Sequence, residues 1–141
     1  MMCQDVMKSA VKCVSPTTTV EEAAVMMRDE GVGFLPVCDA ARHVIGTITD
    51  RDITIRAVAS HEDLDQPIET FMTKKVVACR SGDDLSYAQE RMSQEKVSRI
   101  MCIDEEGHLD GVISLSDLAQ LEDGARAYAT LRNVSEREAR I

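Results

Sequence analysis

The chain contains an internal repeat. Residues 6–53 align with residues 71–118 at a constant offset of 65 positions, without a gap. The identical pairs are Met7/Met72, Val11/Val76, Ala23/Ala88, Met27/Met92, Glu30/Glu95, Val32/Val97, Asp39/Asp104, His43/His108, Gly46/Gly111, Ile48/Ile113 and Asp52/Asp117. Such a repeat indicates one supersecondary unit used twice. A unit of roughly fifty residues buries little core by itself, so the two copies are predicted to pack as a pseudo-twofold pair.

Each copy predicts the order strand, helix, strand, strand, helix. The β-branched Val11 and Val14 indicate a short strand over residues 11–14, and apolar residues at helical spacing begin at Val20. Thr19 and Glu22 are placed as a capping box, and Gly31 is a natural residue to end this helix.

The second half of each copy predicts a hairpin followed by another helix. GFLPVCD and HVIGTIT are apolar runs separated by the polar DAAR, and a helix is expected from Asp50 to about Ala59. The predicted fold class is therefore α+β, with two βαββα repeats. We expect repeat 1 over 5–60, a polar, proline-containing linker over 61–69, repeat 2 over 70–122 and a tail over 123–141, in which Tyr128, Leu131 and Val134 predict a short amphipathic helix.

Charge and hydropathy exclude several function classes. The formal net charge is -9 and the sequence pI about 4.8, which argues against a general nucleic-acid or anionic-membrane binder, because both require a basic face. No apolar run approaches the length of a membrane span, and the start of the sequence lacks the layout of a signal peptide. A cytoplasmic protein with neither nucleic acid nor membrane as its partner is expected.

The cysteines and histidines give no catalytic or metal-binding pattern. The five cysteines are widely spread without a Cys-x-x-Cys pair, so neither a disulfide framework nor a metal site is expected, and Cys38 and Cys102 lie in apolar runs typical of core thiols. His43 and His108 occupy polar turns and His61 the linker, without an evident nucleophile or carboxylate partner. No glycine-rich phosphate loop is found. The prediction is a protein that is not an enzyme.

Two hydroxyl–carboxylate pairs allow two interpretations. Thr49 and Asp52, like Ser114 and Asp117, are three residues apart where an apolar strand ends and a helix begins. In one interpretation they only cap the helix. In the other, the backbone N–H groups meet an anion and the aspartate accepts hydrogen bonds from vicinal hydroxyls, as a ribose phosphate would require. Gly46 and Gly111, which precede these pairs, would let a ligand approach the backbone, or are hairpin residues.

At this level of detail the chain resembles a tandem CBS-domain pair, the module named after cystathionine β-synthase, of the stand-alone bacterial type. The resemblance rests on DVM and TFM at the starts of the copies, on SPTTTVEEAAVMM and GVGFLPV, and on GTITDRDI and GVISLSDL at their ends. It implies two βαββα modules with two clefts between them, commonly assembled as a homodimer. It also implies energy or methyl-donor sensing through AMP, ADP, ATP, NAD or S-adenosylmethionine, with no obligatory cofactor.

The same resemblance assigns site residues. It implies that Thr49 and Asp52 hold ribose and phosphate in one cleft, and Ser114 and Asp117 in the other. The nearby basic residues that would meet phosphate are Arg51, Arg99 and Arg56. Arg99 corresponds to the apolar Phe34 of the first copy, so the two clefts are not expected to be equivalent.

The leading hypothesis is a non-catalytic regulatory module that binds an adenosine compound and signals to an unknown effector protein in trans. The alternative is a ligand-free, dimeric interaction scaffold in which both pairs only cap helices. The tail would cover the domain edge, meet a partner or remain solvated.

Overall fold

The computed structural model describes residues 1–121 and 124–136 and divides the chain into two compact units. Lys12–Val76 form one, here called the first-repeat unit. Met1–Val11 and the chain from Val77 onward form the other, here called the second-repeat unit. Each unit thus contains most of one repeat together with the first residues of the other. The α+β class is confirmed, since each unit contains an antiparallel hairpin together with helices.

The first-repeat unit contains helix α1 (Val20–Glu30), strands β1 (Phe34–Cys38) and β2 (Val44–Thr49), and a helical segment that opens with α2 (Asp50–Asp52). The two strands pair antiparallel. The strand expected over 11–14 is reduced to one parallel bridge between Val14 and Val37. The core lies between the hairpin and the helices, and its buried members are Val14, Val20, Ala23, Met27, Leu35, Val37, Ile48, Ile53, Ala57, Ile68 and Phe71.

Helix α1 begins and ends as the sequence predicts. The Thr19 side chain accepts a hydrogen bond from the Glu22 N–H at 3.1 Å, which satisfies one of the free donors of the first turn. Gly31 has φ 68°, the left-handed conformation that glycine adopts without steric cost. Lys96 takes this place in the second repeat with φ 55°.

The helix predicted from Asp50 is present, but most of it is wider than an α-helix. Residues Ile53–Val58 form a π-helical segment, in which the Ala59 N–H donates to the Thr54 carbonyl at 2.9 Å. The apolar spacing predicts a buried face formed by Ile53, Ala57 and Val58. Ile53 and Ala57 are buried, whereas Val58 is 53% exposed, so the prediction was wrong for Val58. Spacing alone does not distinguish hydrogen bonds to the fourth residue from bonds to the fifth.

Residues 61–69, expected to be a linker, pack against the first repeat. Ile68 is fully buried in that core, and its N–H donates to the Thr18 carbonyl at 2.8 Å. The Val20 N–H donates to the Gln66 carbonyl at 3.0 Å. Although this segment is mostly polar, its apolar residue Ile68 attaches it to the core of the first-repeat unit. The repeat boundaries along the sequence stay a prediction.

The second-repeat unit contains β3 (Ala78–Arg80), α3 (Leu85–Glu95), β4 (Arg99–Ile103), β5 (Leu109–Ser114), α4 (Leu115–Ala119) and α5 (Gly124–Ser135). Strand β3 pairs parallel with β4, and β4 pairs antiparallel with β5. Helix α5 packs against α3 and α4. The core residues are Cys3, Val77, Cys79, Leu85, Ala88, Met92, Ile100, Cys102, Ile113 and Leu118.

Helix α5 confirms the helix expected in the tail but corrects its buried face. Val134 is buried, as the spacing predicted, and Thr130 is buried one turn earlier. Tyr128 and Leu131, expected on the same face, are 66% and 50% exposed. The rest of the predicted tail, residue 123 and residues 137–141, lies outside the described residues. None of the helices within 1–121 and 124–136 is long and apolar enough to cross a membrane.

Candidate functional site

The pair Thr49 and Asp52 lies where β2 passes into α2 and forms a complete capping box. The Asp52 N–H donates to the Thr49 Oγ1 at 3.0 Å, and the Thr49 N–H donates to the Asp52 Oδ2 at 3.1 Å. Both orphan backbone donors are therefore satisfied by side chains. The pair therefore caps the helix.

The second repeat reproduces the arrangement at the end of β5. The Asp117 N–H donates to the Ser114 Oγ at 3.2 Å, and the Ser114 N–H donates to the Asp117 Oδ2 at 2.9 Å. The Ser114 Oγ also lies 2.8 Å from the Ser116 Oγ. The repeat thus preserves a local geometry, and capping uses only one oxygen of each carboxylate.

The other carboxylate oxygen faces a cation in both units. Asp52 Oδ1 lies 3.8 Å from the Arg56 Nε, and Asp117 Oδ1 lies 3.4 Å from the Lys8 Nζ. The two aspartate side chains are each only 12% exposed, whereas Lys8 is 74% exposed and Arg56 49%. Each site therefore combines a hydroxyl, a fixed carboxylate and a partly exposed cation.

The three predicted arginines have different places. Arg56 donates from Nη1 to the carbonyls of Phe71 and Met72 at 3.0 and 3.3 Å, so much of its hydrogen-bonding capacity holds a segment of its own unit. Arg51 is exposed in the helix-opening turn. Arg99 is exposed at the start of β4, directly opposite Ser114 in the antiparallel register. The structure thus places Arg99 with the second-repeat pair.

Lys8 and Asp50 lie at these sites but are not among the predicted site residues. Lys8 lies far from Asp117 in the sequence, yet its Nζ is 3.4 Å from the Asp117 Oδ1. Asp50 accepts a hydrogen bond from the Arg51 backbone N–H at 2.8 Å, so the two are linked through the main chain. Comparison of the two copies could have identified both residues. At the offset of 65, Lys8 is paired with the neutral Thr73 and Asp50 with the neutral Leu115, so the charge at these positions differs between the copies.

Gly46 and Gly111 are residues of the two hairpins, which confirms one of the two expectations, and in the hairpins they serve packing. Both lie inside strands. A Cβ on Gly46 would lie 2.7 Å from the Thr73 carbonyl oxygen, and a Cβ on Gly111 would lie 2.7 Å from that of Lys8. These neighbours bond to the same strands, through Thr47 and Val112 respectively. The glycines allow a crossing backbone to approach.

The turn histidines do have carboxylate partners, contrary to the sequence prediction. The ring Nδ1 of His43 lies 3.2 Å from the Asp39 Oδ2, and that of His108 lies 3.0 Å from the Asp104 Oδ2. The pKa values of both aspartates are lowered, chiefly by hydrogen bonds from the histidine backbone N–H groups. The aspartates close the hairpin turns, which is a structural role.

A family model for the CBS domain matches residues 3–58 and 68–124. The chain belongs to the CBS-domain family. A CBS domain-containing protein from Bacillus subtilis, YhcV, is 32% identical over 133 residues, covering 94% of each chain. CBS domain pairs are regulatory modules and are not themselves catalytic.

Solved CBS structures have the same fold. A conserved CBS domain protein of unknown function from Thermoplasma acidophilum has a TM-score of 0.81 and 25% identity, over 94% of this chain and 75% of that one. A CBS domain protein from Pyrobaculum aerophilum, solved in complex with AMP, has a TM-score of 0.75 and 24% identity, over 96% and 99% of the two chains. The βαββα pair is thereby established as the fold of this protein.

Proposed function

We propose that this CBS-domain pair is a regulatory module that binds an adenosine compound at the strand ends carrying Thr49/Asp52 and Ser114/Asp117. The observation that carries the proposal is the shared geometry of the two pairs. In each, hydrogen bonds from the backbone fix one carboxylate oxygen, while the other faces a partly exposed cation. A fixed carboxylate oxygen can accept hydrogen bonds from both hydroxyls of a ribose, and a cation beside it pairs with phosphate.

The fold likeness supports the ligand class. The Pyrobaculum protein was solved with AMP, and it matches nearly the whole of this chain. The regulatory effect would follow from different affinities of the ligand for two arrangements of the protein, with coupling of roughly 1–3 kcal/mol typical of allostery. A homodimer, an effector protein acting in trans and a role in energy sensing belong to this proposal.

The two sites differ in charge, which separates their ligands. Beside Ser114 and Asp117 lie Lys8, 3.4 Å from the Asp117 carboxylate, and Arg99, opposite Ser114 in the strand register, while Leu115 is uncharged. Around Thr49 and Asp52, the equivalent positions hold Thr73, Phe34 and Asp50.

The second-repeat site should therefore prefer phosphorylated ligands, since cations at two positions that are uncharged in the first-repeat site favour phosphate. In the first-repeat site the carboxylates of Asp50 and Asp52 match the cations Arg51 and Arg56 in number. It should prefer an adenosine compound with little negative charge, such as S-adenosylmethionine.

Thermal unfolding with AMP, ADP, ATP, NAD or S-adenosylmethionine in excess tests the proposal. A ligand at about 100 times its Kd adds roughly 2.7 kcal/mol of stability, which is several degrees in Tm. We expect Asp117→Ala to abolish the shift from phosphorylated ligands and Asp52→Ala the shift from S-adenosylmethionine. Thr19→Ala is the matched control, because it removes a helix cap outside both sites. It should lower the free energy of unfolding by the usual cost of losing a cap, about 0.5–2 kcal/mol, and leave the Tm shift caused by each ligand unchanged.

Lys8→Thr tests the charge difference, because it gives the second-repeat site the residue found at the equivalent place in the first. We expect affinity for ATP to fall about tenfold, the equivalent of about 1.4 kcal/mol. Affinity for S-adenosylmethionine should stay unchanged. Equal losses for both ligands would contradict the assignment of phosphate to Lys8.

The scaffold remains the second candidate because both capping boxes are complete without a ligand. It predicts no thermal shift with any of the five compounds. It also predicts that Asp52→Ala and Asp117→Ala only lower stability, as Thr19→Ala does. The same titration therefore decides between the two functions.

A further inference from the structure

Three cysteines that are far apart in the sequence meet in the core of the second-repeat unit. The Cys79 Sγ lies 3.6 Å from the Cys3 Sγ and 3.7 Å from the Cys102 Sγ. All three are free thiols with exposed fractions of 0–3%. Cys79 and Cys102 are direct partners in the parallel ladder of β3 and β4, and Cys3 lies in the turn Cys3–Asp5 that packs beside them.

The first repeat shows that this place in the fold does not require thiols. The offset of 65 pairs Cys3, Cys79 and Cys102 with Ile68, Val14 and Val37. Those three aliphatic residues are likewise buried, with exposed fractions of 0–4%. One fold therefore fills the same core positions with hydrocarbon in one unit and with three adjoining sulfurs in the other.

The hydrogen bonds within the cluster shift the pKa values of its cysteines in different directions. Hydrogen bonds from the S–H groups of Cys102 and Cys79 lower the pKa of Cys3, against the opposing effect of burial. The same contacts, with Cys102 first, raise the pKa of Cys79. A thiolate is the nucleophilic form of cysteine, and a second thiol beside it can resolve an oxidised product.

We propose that the cluster formed by Cys3, Cys79 and Cys102 is an oxidation site for hydrogen peroxide, with Cys3 the reacting thiolate and Cys79 the resolving thiol. The Cys3 sulfur attacks one oxygen of the peroxide and the O–O bond breaks. This gives a sulfenic acid on Cys3 and hydroxide, which takes up a proton to become water. The Cys79 sulfur then displaces the sulfenic hydroxyl as a second water, and a disulfide forms between Cys3 and Cys79. Two thiols lose two electrons and one peroxide is reduced.

The placement of Cys3 provides a route for the oxidant. Cys79 and Cys102 lie within strands, whereas Cys3 belongs to a three-residue turn whose neighbours Met1 and Met2 are 68% and 42% exposed. Short turns with exposed neighbours open locally at lower free energy than sheet strands. Opening would expose Cys3 to peroxide, and closing would return its sulfenic acid to Cys79.

Peptide mapping of peroxide-treated native protein tests the site. The background variant Cys13→Ser/Cys38→Ser leaves only the three clustered thiols. We expect free thiols to fall from three to one and a Cys3–Cys79 linked peptide to appear. Cys102→Val, which copies the first-repeat residue, should retain this disulfide. Cys79→Val should instead let dimedone trap a sulfenic acid on Cys3.

Other results would overturn the proposal. A Cys79–Cys102 disulfide would remove Cys3 from its assigned role, and so would three unreacted thiols in the native protein. Mapping of the unaltered chain needs no substitution, so a variant that fails to fold leaves the test intact. The triple variant Cys3→Ile/Cys79→Val/Cys102→Val, which places the first-repeat residues in the cluster, should fold and lose only the reaction with peroxide.

Discussion

At the residue scale, Gly46 and Gly111 occupy equivalent positions of the two repeats and determine the same local packing in both. Each lies in a strand, where glycine is unfavourable, and each leaves room for a carbonyl from a crossing segment. The two capping pairs behave likewise, because a hydroxyl residue followed three positions later by aspartate forms the same capping box in both repeats. The cations beside those pairs do not recur, which is why the two sites differ.

Replacing Gly46 or Gly111 with alanine should be strongly destabilising. The new Cβ would lie 2.7 Å from a backbone oxygen, which forces a strand or the crossing segment to shift. We expect each variant to lose roughly 1–3 kcal/mol of unfolding free energy in a urea titration, the usual cost of overpacking.

The matched control is Gly82→Ala, whose Cβ meets no atom within 4 Å and whose φ is not positive. It should be neutral or stabilise by up to about 1 kcal/mol, through the unfolded chain. Equal effects at Gly46 and Gly82 would show that the crossing segment is not packed as described.

At the scale of elements, each hairpin gains a further partner from a distant segment. The Thr47 N–H donates to the Thr73 carbonyl at 2.9 Å, and the Thr73 N–H returns a bond of the same length. Lys8 and Val112 form the equivalent pair in the second-repeat unit. In the first-repeat unit the crossing segment is also bound from the helical side, by Arg56.

Arg56→Met should loosen this segment. The substitution keeps most of the aliphatic stem but removes the donors that bind the Phe71 and Met72 carbonyls. Hydrogen bonds from charged groups contribute about 1.5–3 kcal/mol, and we expect a loss of that size in denaturant unfolding. Arg51→Met, an exposed change in the preceding turn, should stay within about 0.5 kcal/mol of the original. If both variants behaved alike, Arg56 would have no structural role.

At the scale of the whole molecule, two hairpin aspartates make stability depend on pH in the acid range. The pKa values of Asp39 and Asp104 are lowered in the folded protein by bonds from His43 and His108. A lowered folded pKa means that these carboxylates stabilise the fold fully above their unfolded pKa of about 3.9. The contribution is lost as pH falls through the lower, folded value.

Asp39→Asn/Asp104→Asn should flatten this acid dependence. We expect Tm to fall less steeply below about pH 4 than in the unaltered protein, because the titrating groups are gone. A series of thermal melts between about pH 6 and pH 2 measures it. Asp65→Asn, an exposed change outside the hairpin turns, should retain the original slope. A steeper acid limb in the double variant would reverse the sign of the proposed linkage.

Much of the fold could be predicted from the sequence because its signals are local and appear twice. The repeat gave the class, the apolar spacing gave helix α1, and the pairs at Thr49 and Ser114 gave the caps of α2 and α4. Hydrogen bonds between residues three or four apart depend on little beyond those residues.

Contacts between segments that are distant along the chain were decided by the tertiary structure alone. The pairing of Lys8 with Asp117, the anchoring of Ile68 in the first-repeat core and the meeting of Cys3 with Cys79 have no local signature. They arise because a unit of this size buries its core only by recruiting chain from outside its own repeat. The sequence by itself therefore determined the module and its caps, while packing between distant segments decided which charges and thiols lie beside them.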